Sequence, residues 1–109
     1  MSIIENERGG KQSEIKGKMT EVPPLALIEL SKVMGEGSVN YPREEDGTPN
    51  WHKIGCYSNL DHALEHIANF MVMRNAPETV RDPLSMLEEI SHFAARAMMA
   101  LEQYIRGDL

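Results

Sequence analysis

The sequence contains little of what secreted, nucleic-acid-binding or membrane-spanning proteins need. Its 109 residues include one cysteine, which excludes an internal disulfide framework and makes a reducing cytoplasm the expected location. Lys and Arg number 11 against 17 Asp and Glu, and the net charge of -6 argues against a nucleic-acid strand as partner, because phosphate contacts need clustered cations. No apolar run approaches the roughly 20 residues of a membrane span, and no signal-peptide pattern opens the chain.

Aromatic residues are also scarce, at 6%, and β-branched residues are few beside the many Leu, Ala, Met and Glu. Because the abundant residues favour helices and the scarce ones favour strands, the composition predicts an all-α fold. We expect one small helical bundle over residues 21–109, with two long antiparallel helices, a short N-terminal helix and a long loop. Residues 1–20 are polar and interrupted by glycine, which is typical of a flexible N-terminal arm; the alternative is a strand that closes over a bound anion.

Apolar periodicity and capping residues locate the first two helices. The first is expected to open at Pro23-Pro24 and to stop at Gly35, and the second to run from a cap at Ser58 or Asp61 to Asn75. The stretch between them has no periodicity and contains the only tryptophan.

That stretch, residues 36–57, is expected to be a functional loop, because a loop of about 20 residues is otherwise uncommon in a small domain. Tyr41, Asn50 and Trp51 are side chains that can stack on or hydrogen-bond a planar ligand. The alternative is that Trp51 plugs the end of the bundle.

The last helix is expected from Asp82 to Arg106, since Asp82 is a good N-cap and Pro83 a good first-turn residue. Its alanines would let another helix approach closely. Its apolar surface is wider than one neighbouring helix can cover, which predicts a homodimer or homotetramer. The apolar stripe consists of Leu87, Ile90, Ala94, Ala97, Met98, Leu101 and Ile105.

Two rows of polar side chains at helical spacing are candidates for a metal site. On the last helix Glu88 and Glu89 precede His92 by four and three positions, so they share a face with it. Carboxylates are natural ligands of Mg²⁺ or Mn²⁺, and an imidazole can also act as a base. The alternative is that both rows simply face solvent. The row expected to face this one from the second helix consists of His62, Glu65, His66 and Asn69.

The order of several short motifs resembles that of a known family. These motifs are Pro-Pro, Gly-x-x-x-Tyr, Asn-Trp, a helix that carries histidines, and an Asp and a Ser followed by a His. The ordered set is similar to that of the small phage-type dATP/dGTP diphosphohydrolases, a branch of the MazG-like all-α nucleoside triphosphate pyrophosphatases. The resemblance covers residues 20 to 105.

The resemblance implies roles for particular residues. Five positions depart from the family pattern, and two of them gain a carboxylate: Glu65 stands in place of an arginine and Glu89 in place of a histidine. The other three are Asn40 for a lysine, Leu84 for an acidic residue and Met86 for a glycine. The two gained carboxylates move the site toward the paired-glutamate rows by which the MazG-like group holds Mg²⁺. The motif residues fall on Gly37 and Tyr41, Asn50 and Trp51, Glu65 and His66, Asp82 and Ser85, and Glu89 and His92.

Together the resemblance and the polar rows predict metal-dependent hydrolysis of purine (deoxy)nucleoside triphosphates to a monophosphate and pyrophosphate. Glu65, Glu88 and Glu89 would hold Mg²⁺ or Mn²⁺. His66 or His92, with Glu89, would carry catalysis by orienting or deprotonating the attacking water. The expected substrate-binding residues are Tyr41, Asn50, Trp51, Asn69, Asp82 and Ser85.

Two other functions stay open at this point. A protein of the same fold could bind a nucleotide or a cyclic-nucleotide signal without hydrolysing it. A small helical protein could also use its wide apolar faces only to assemble with a protein partner. The expected location is the cytoplasm, that of the host if the chain is phage-encoded.

Overall fold

Three α-helices, named α1 (Pro24–Asn40), α2 (Cys56–Asn75) and α3 (Pro83–Arg106), form the fold. The computed structural model of the protein describes residues 3–13 and 16–109. Both α1 and α2 pack against α3, and α2 is its main neighbour. The all-α class is therefore confirmed. Among the described residues, no helix is long and apolar enough to cross a membrane.

The helix α1 is longer than its sequence suggested. It begins at Pro24, as expected, but the predicted stop at Gly35 is wrong because the helix continues to Asn40. The N–H of Tyr41 then donates to the Gly37 carbonyl and closes the last turn. Neither glycine has a positive φ, so both keep ordinary helical torsions. A glycine inside a helix costs only about 1 kcal/mol, which the packing of α1 on α3 can offset.

The long loop is correspondingly shorter than residues 36–57 and is not structureless. A 3-10 helix, Asn50–Lys53, occupies its second half. A sharp turn at Gly55, where φ is +89°, then leads directly into α2.

The start of α2 at Cys56 shows that the predicted caps at Ser58 and Asp61 are wrong. The N–H groups of Cys56 and Tyr57 donate to the carbonyls of Asp108 and Leu109, at 3.1 and 3.4 Å. Main-chain groups from the other end of the chain therefore satisfy the first amides of α2, which every helix otherwise leaves without partners. A pattern of neighbouring residues does not contain this information.

The helix α3 has the bounds expected from the sequence. Asp82 is its N-cap and accepts from the N–H of Leu84, while Pro83 takes the first helical position. At the other end Gly107 adopts the left-handed conformation, with φ of +83°, and its N–H donates back to the last turn. This is the usual glycine stop.

A short hairpin precedes the helices and was not expected in the arm. Strand β1 (Ile3–Glu5) pairs with β2 (Lys11–Ser13) in an antiparallel ladder. The turn between them is closed by the Asn6 side chain, which accepts from the N–H groups of Arg8 and Gly10. The predicted flexible arm over residues 1–20 also includes residues 1, 2, 14 and 15, which lie outside the described residues.

The N-cap of α3 leads to a prediction about acid stability. Hydrogen bonds from the Ser85 hydroxyl and the Leu84 N–H hold the pKa of the Asp82 carboxyl below its usual 3.8. A lowered folded-state pKa contributes stability that is present above about pH 4 and is lost as pH falls through that lower value. Asp82→Asn keeps a capping oxygen but cannot titrate. We expect urea unfolding to show the wild type more stable than Asp82→Asn at pH 6, with the difference shrinking towards pH 2.5. A difference that stays constant with pH would contradict this account.

Candidate functional site

A cluster of three polar side chains lies where α2 faces α3. The Nδ1 atom of His66 lies 2.8 Å from an oxygen of Glu89. The His66 and His92 rings are 5.3 Å apart, measured between centroids. The side chains of His66 and Glu89 are 25% and 20% exposed, so the pair is largely shielded from water. Three residues proposed from sequence as the catalytic group therefore come together.

The register of the two helices brings these side chains together. His66 pairs with Glu89, whereas Asn59, earlier on α2, pairs with Arg96 and Gln103, which come later on α3. The helices are therefore antiparallel. Asn59 lies about two turns from His66 on α2, and Arg96 lies about two turns from Glu89 on α3, with Gln103 two turns further on, so these contacts form successive polar layers of one seam.

Beside the cluster, α1 and α3 form an open groove of about 320 Å³. Its α3 wall includes Glu88, Ser91 and His92, and its α1 wall includes Glu29, Lys32 and Glu36. Lys32 donates to Glu29 at 2.9 Å. His92 belongs both to the groove and to the cluster, so it links the two.

The α1 wall of this groove was not predicted from the sequence. Glu29, Lys32 and Glu36 lie at spacings of three and four on an otherwise apolar helix. That spacing places them on one face, and it was a usable signal.

The other predicted metal and substrate residues lie outside the cluster. Glu65 and Asn69 are exposed on α2, and Glu88 is exposed at the rim of the groove. Asp82 and Ser85 bond to each other, with the Ser85 hydroxyl donating to Asp82 at 2.8 Å. That bond belongs to the N-cap of α3, which gives these two residues a structural role independent of any substrate.

The predicted base-contacting residues belong to a different part of the molecule. The Trp51 carbonyl accepts from the side chain of Gln103 at 3.0 Å, and the Trp51 ring meets the ring of His52 edge-on at 4.3 Å. Gln103 follows Glu89 by 14 residues on α3. At 1.5 Å per residue this is about 21 Å along the helix. Within one chain, Trp51 therefore lies near the opposite end of α3 from the cluster, and Tyr41 is exposed just after α1.

The structure also reveals a buried polar network near Trp51. Asn59 and Gln103 are fully buried, and the Asn59 side-chain amide donates to the side-chain oxygen Oε1 of Gln103. Arg96 donates to Asn59 at 2.9 Å. No buried side-chain nitrogen or oxygen of the described residues is left without a partner. The network ties the Trp51 turn to both long helices.

The described part of one chain does not contain a complete metal-binding cage. No three His, Cys, Asp or Glu side chains of residues 3–13 and 16–109 converge as a ligand set. Glu89, one of the predicted ligands, is hydrogen-bonded to His66 instead. The carboxylates of the groove still have the right chemistry for Mg²⁺, since Mg²⁺ is commonly held by one or two carboxylates together with substrate phosphates.

Comparison with known proteins agrees with the motif order. Residues 6–109 match the family model described as dATP/dGTP diphosphohydrolase, N-terminal. The match covers nearly the whole chain and includes strand β2 of the N-terminal hairpin but not strand β1. Searches of curated proteins and of solved structures gave no match.

Proposed function

Because the chain belongs to the dATP/dGTP diphosphohydrolase N-terminal family, we propose that it hydrolyses dATP and dGTP to the monophosphate and pyrophosphate. The observation that carries this proposal is the His66–Glu89 pair, shielded from water and next to His92 at the edge of a groove. A family name alone supplies a reaction class. The pair supplies a histidine oriented by a carboxylate, which is the kind of general base that hydrolysis needs.

The proposed chemistry uses His66 as the general base. If Nδ1–H of His66 donates to the Glu89 carboxylate, the ring is fixed in the tautomer whose Nε2 can accept a proton. A water molecule attacks the α-phosphorus and transfers its proton to Nε2 of His66. The bond from the α-phosphorus to the bridging oxygen breaks, and pyrophosphate leaves with the electron pair of that bond.

The groove is the proposed place for the triphosphate. Among the described residues that line it, Lys32 is the only Lys or Arg, and His92 is the imidazole nearest the His66–Glu89 pair. We propose that Lys32 and His92 contact phosphate oxygens. Glu88 and Glu36 would repel a bare polyphosphate, so the substrate is proposed to bind as its Mg²⁺ or Mn²⁺ complex.

Metal dependence is thus part of the proposal. Glu88 and Glu36 would hold the cation together with phosphate oxygens, and when bound the cation would neutralise phosphate charge. Glu65, exposed on the next helix, is the further carboxylate proposed from sequence. Glu89 is assigned to His66 and not to the metal, because its oxygen lies within hydrogen-bonding distance of that ring.

Base recognition by Asn50 and Trp51 is proposed only for an assembled protein. About 21 Å of α3 separates the level of the Trp51 turn from Glu89 in one chain. A second copy would have to present these two residues to the groove. A homodimer or homotetramer is therefore part of the proposed function, and the cytoplasm is its proposed location.

A second candidate is a protein that binds the nucleotide without hydrolysing it. The observation that favours it is the low cationic charge of the groove, where Lys32 is already paired with Glu29. In water that pair is worth little, since both side chains are substantially exposed.

One assay separates the two candidates. The protein is incubated with dATP, dGTP and a pyrimidine control, with Mg²⁺, with Mn²⁺ and with a chelator, and pyrophosphate and monophosphate are measured. We expect equal amounts of both products from the purine substrates, and none with the chelator. If no product forms, calorimetry that shows tight binding of a nucleotide recovered intact would favour the second candidate. Neither turnover nor binding by folded protein would overturn both.

A further inference from the structure

Arg96 is a half-buried cation on α3 whose side chain bonds to a neutral amide. Its guanidinium donates to the Asn59 side-chain oxygen at 2.9 Å. Among residues 3–13 and 16–109, no carboxylate lies within 4.0 Å of it, although the chain has 17 Asp and Glu. Lys53 and Arg106, which are more exposed, both have a carboxylate partner. A guanidinium has five N–H donors, so Arg96 has donors to spare for a ligand.

The sequence around Arg96 explains why its own helix gives it no acidic partner. The neighbours of a helical residue lie three and four positions away. For Arg96 these neighbours are one imidazole and three side chains without charge: His92, Phe93, Met99 and Ala100. Shielding a cation from water costs free energy unless an anion pairs with it. An anion from outside the chain would supply that pairing.

A network of hydrogen bonds holds the Arg96 guanidinium in place. The Asn59 amide donates to Gln103, and Gln103 donates to the Trp51 carbonyl. Because the NH₂ group of Asn59 is used in this way, its oxygen is the atom that faces Arg96. A planar guanidinium held at one N–H has its other donors directed in a fixed fork. Arg96 is therefore preorganised for an anion that accepts two parallel hydrogen bonds, as a phosphate does.

Arg96 lies next to the proposed reaction centre. It follows His92 by one turn of α3, about 6 Å along the axis, and residues at this spacing share a face. It follows Glu89 by two turns, about 10 Å. Helical side chains lean toward the N-terminal turn, which for Arg96 is the turn of His92. Since His92 also lines the groove, it connects the groove to Arg96.

We propose that Arg96 binds the β- or γ-phosphate of the nucleotide, the part of the substrate that leaves as pyrophosphate. In this arrangement the attacked α-phosphorus lies beside the His66–Glu89 pair, and the outer phosphates extend past His92 to Arg96. The guanidinium then stabilises the negative charge that develops on the departing pyrophosphate. It adds a second strong cation to a site where Lys32 is the only Lys or Arg of the groove lining. The inference rests on the proposed function for the identity of the anion.

Titration with inorganic pyrophosphate tests this contact directly. Arg96→Gln removes the charge but keeps an amide that can donate to Asn59. Arg106→Gln is the matched control, because it removes the same charge from the same helix at a position already paired with Asp108. We expect calorimetry in Mg²⁺ to show a dissociation constant about 10- to 100-fold higher for Arg96→Gln. That of Arg106→Gln should stay within about threefold of wild type.

The other product, dAMP, separates phosphate binding from support of the fold. It lacks the phosphates assigned to Arg96, so Arg96→Gln should change its dissociation constant by no more than about threefold. The kcat/KM for dATP should fall by about 10- to 100-fold, in parallel with the affinity for pyrophosphate. Arg96→Lys keeps the charge without the planar fork and should weaken pyrophosphate binding by about 3- to 10-fold. If circular dichroism shows that Arg96→Gln does not fold, Arg96→Lys takes its place.

Several outcomes would overturn the role of Arg96. Equal affinities of Arg96→Gln and Arg106→Gln for pyrophosphate would show that Arg96 does not contact the phosphates, and so would wild-type protein that binds no pyrophosphate at millimolar concentration. Equal weakening of pyrophosphate and dAMP binding by Arg96→Gln would show that Arg96 only supports the fold. A selective loss of pyrophosphate binding in a protein that does not hydrolyse dATP would support the anion site and overturn the proposed reaction alone.

Discussion

A His66→Ala variant is expected to hydrolyse dATP and dGTP with a kcat about 10²- to 10⁴-fold below wild type, the usual contribution of a positioned general base. The reason is the geometry of the pair, in which Glu89 lies 2.8 Å from one ring nitrogen and leaves the other to accept a proton. The KM should change little, because His66 is proposed to act on water and not to bind the nucleotide. Initial rates of pyrophosphate release at saturating substrate measure this directly.

Two further variants separate the base from its surroundings. Glu89→Gln keeps the shape of the side chain but removes its charge, so it should lower kcat by about 10-fold or more through the wrong ring tautomer and weaker support of the imidazolium. His92→Ala should mainly raise KM, because His92 lines the groove. His62→Ala is the matched control: it removes an exposed histidine of the same helix and should change neither constant.

A different result for His66→Ala would contradict its proposed role as the general base. If the folded variant, verified by circular dichroism, keeps kcat within threefold of wild type, His66 is not the base. If His92→Ala then loses kcat at unchanged KM, the roles of the two histidines are reversed. Loss of helical signal in His66→Ala would shift the test to His66→Gln, which keeps a polar side chain of similar length in the seam.

The helices themselves were largely predictable from the sequence. The start of α3 follows from Asp82, whose side chain caps the first turn, and its end follows from Gly107, whose backbone N–H closes the last turn. The start of α2 did not follow from neighbouring residues, because its first amides bond to the carbonyls of Asp108 and Leu109. The end of α1 was missed for a related reason: packing can outweigh the intrinsic preference of Gly35 for a stop.

The site was predictable where helical spacing alone decided it. Glu89 and His92 share a face of one helix, so only one facing residue, His66, had to be matched to them. The α1 wall of the groove required knowing which face of that helix meets α3. The position of Trp51 required the contact with Gln103, and a glutamine within an apolar-striped helix does not by itself indicate burial. Contacts between distant segments are the part that local patterns do not specify.

The second large effect is expected from Gln103→Leu, a substitution of similar volume in the buried polar network. The fully buried Gln103 side chain accepts from Asn59 and donates to the Trp51 carbonyl. Its loss leaves buried polar groups without partners, each of which costs about 1–3 kcal/mol. We therefore expect the free energy of unfolding to fall by about 2–5 kcal/mol. Urea denaturation at a fixed protein concentration measures this change.

The neighbouring exposed residue provides the control. Glu102→Ala removes an exposed side chain at the preceding position of α3 and should change the free energy of unfolding by less than about 0.5 kcal/mol. A double variant with Asn59→Leu tests the network itself, because replacing both partners by apolar groups should cost less than the sum of the single changes. If the two single effects simply add, the pair does not act as a unit.

The only tryptophan gives a readout specific to this network. Gln103 is the side chain that donates to the carbonyl of half-buried Trp51, so Gln103→Leu should release the Asn50–Lys53 turn in the native state. Native fluorescence should then shift to longer wavelength in Gln103→Leu and stay unchanged in Glu102→Ala. A destabilised Gln103→Leu variant with wild-type native emission would show that Gln103 stabilises the α2–α3 seam without positioning the Trp51 turn.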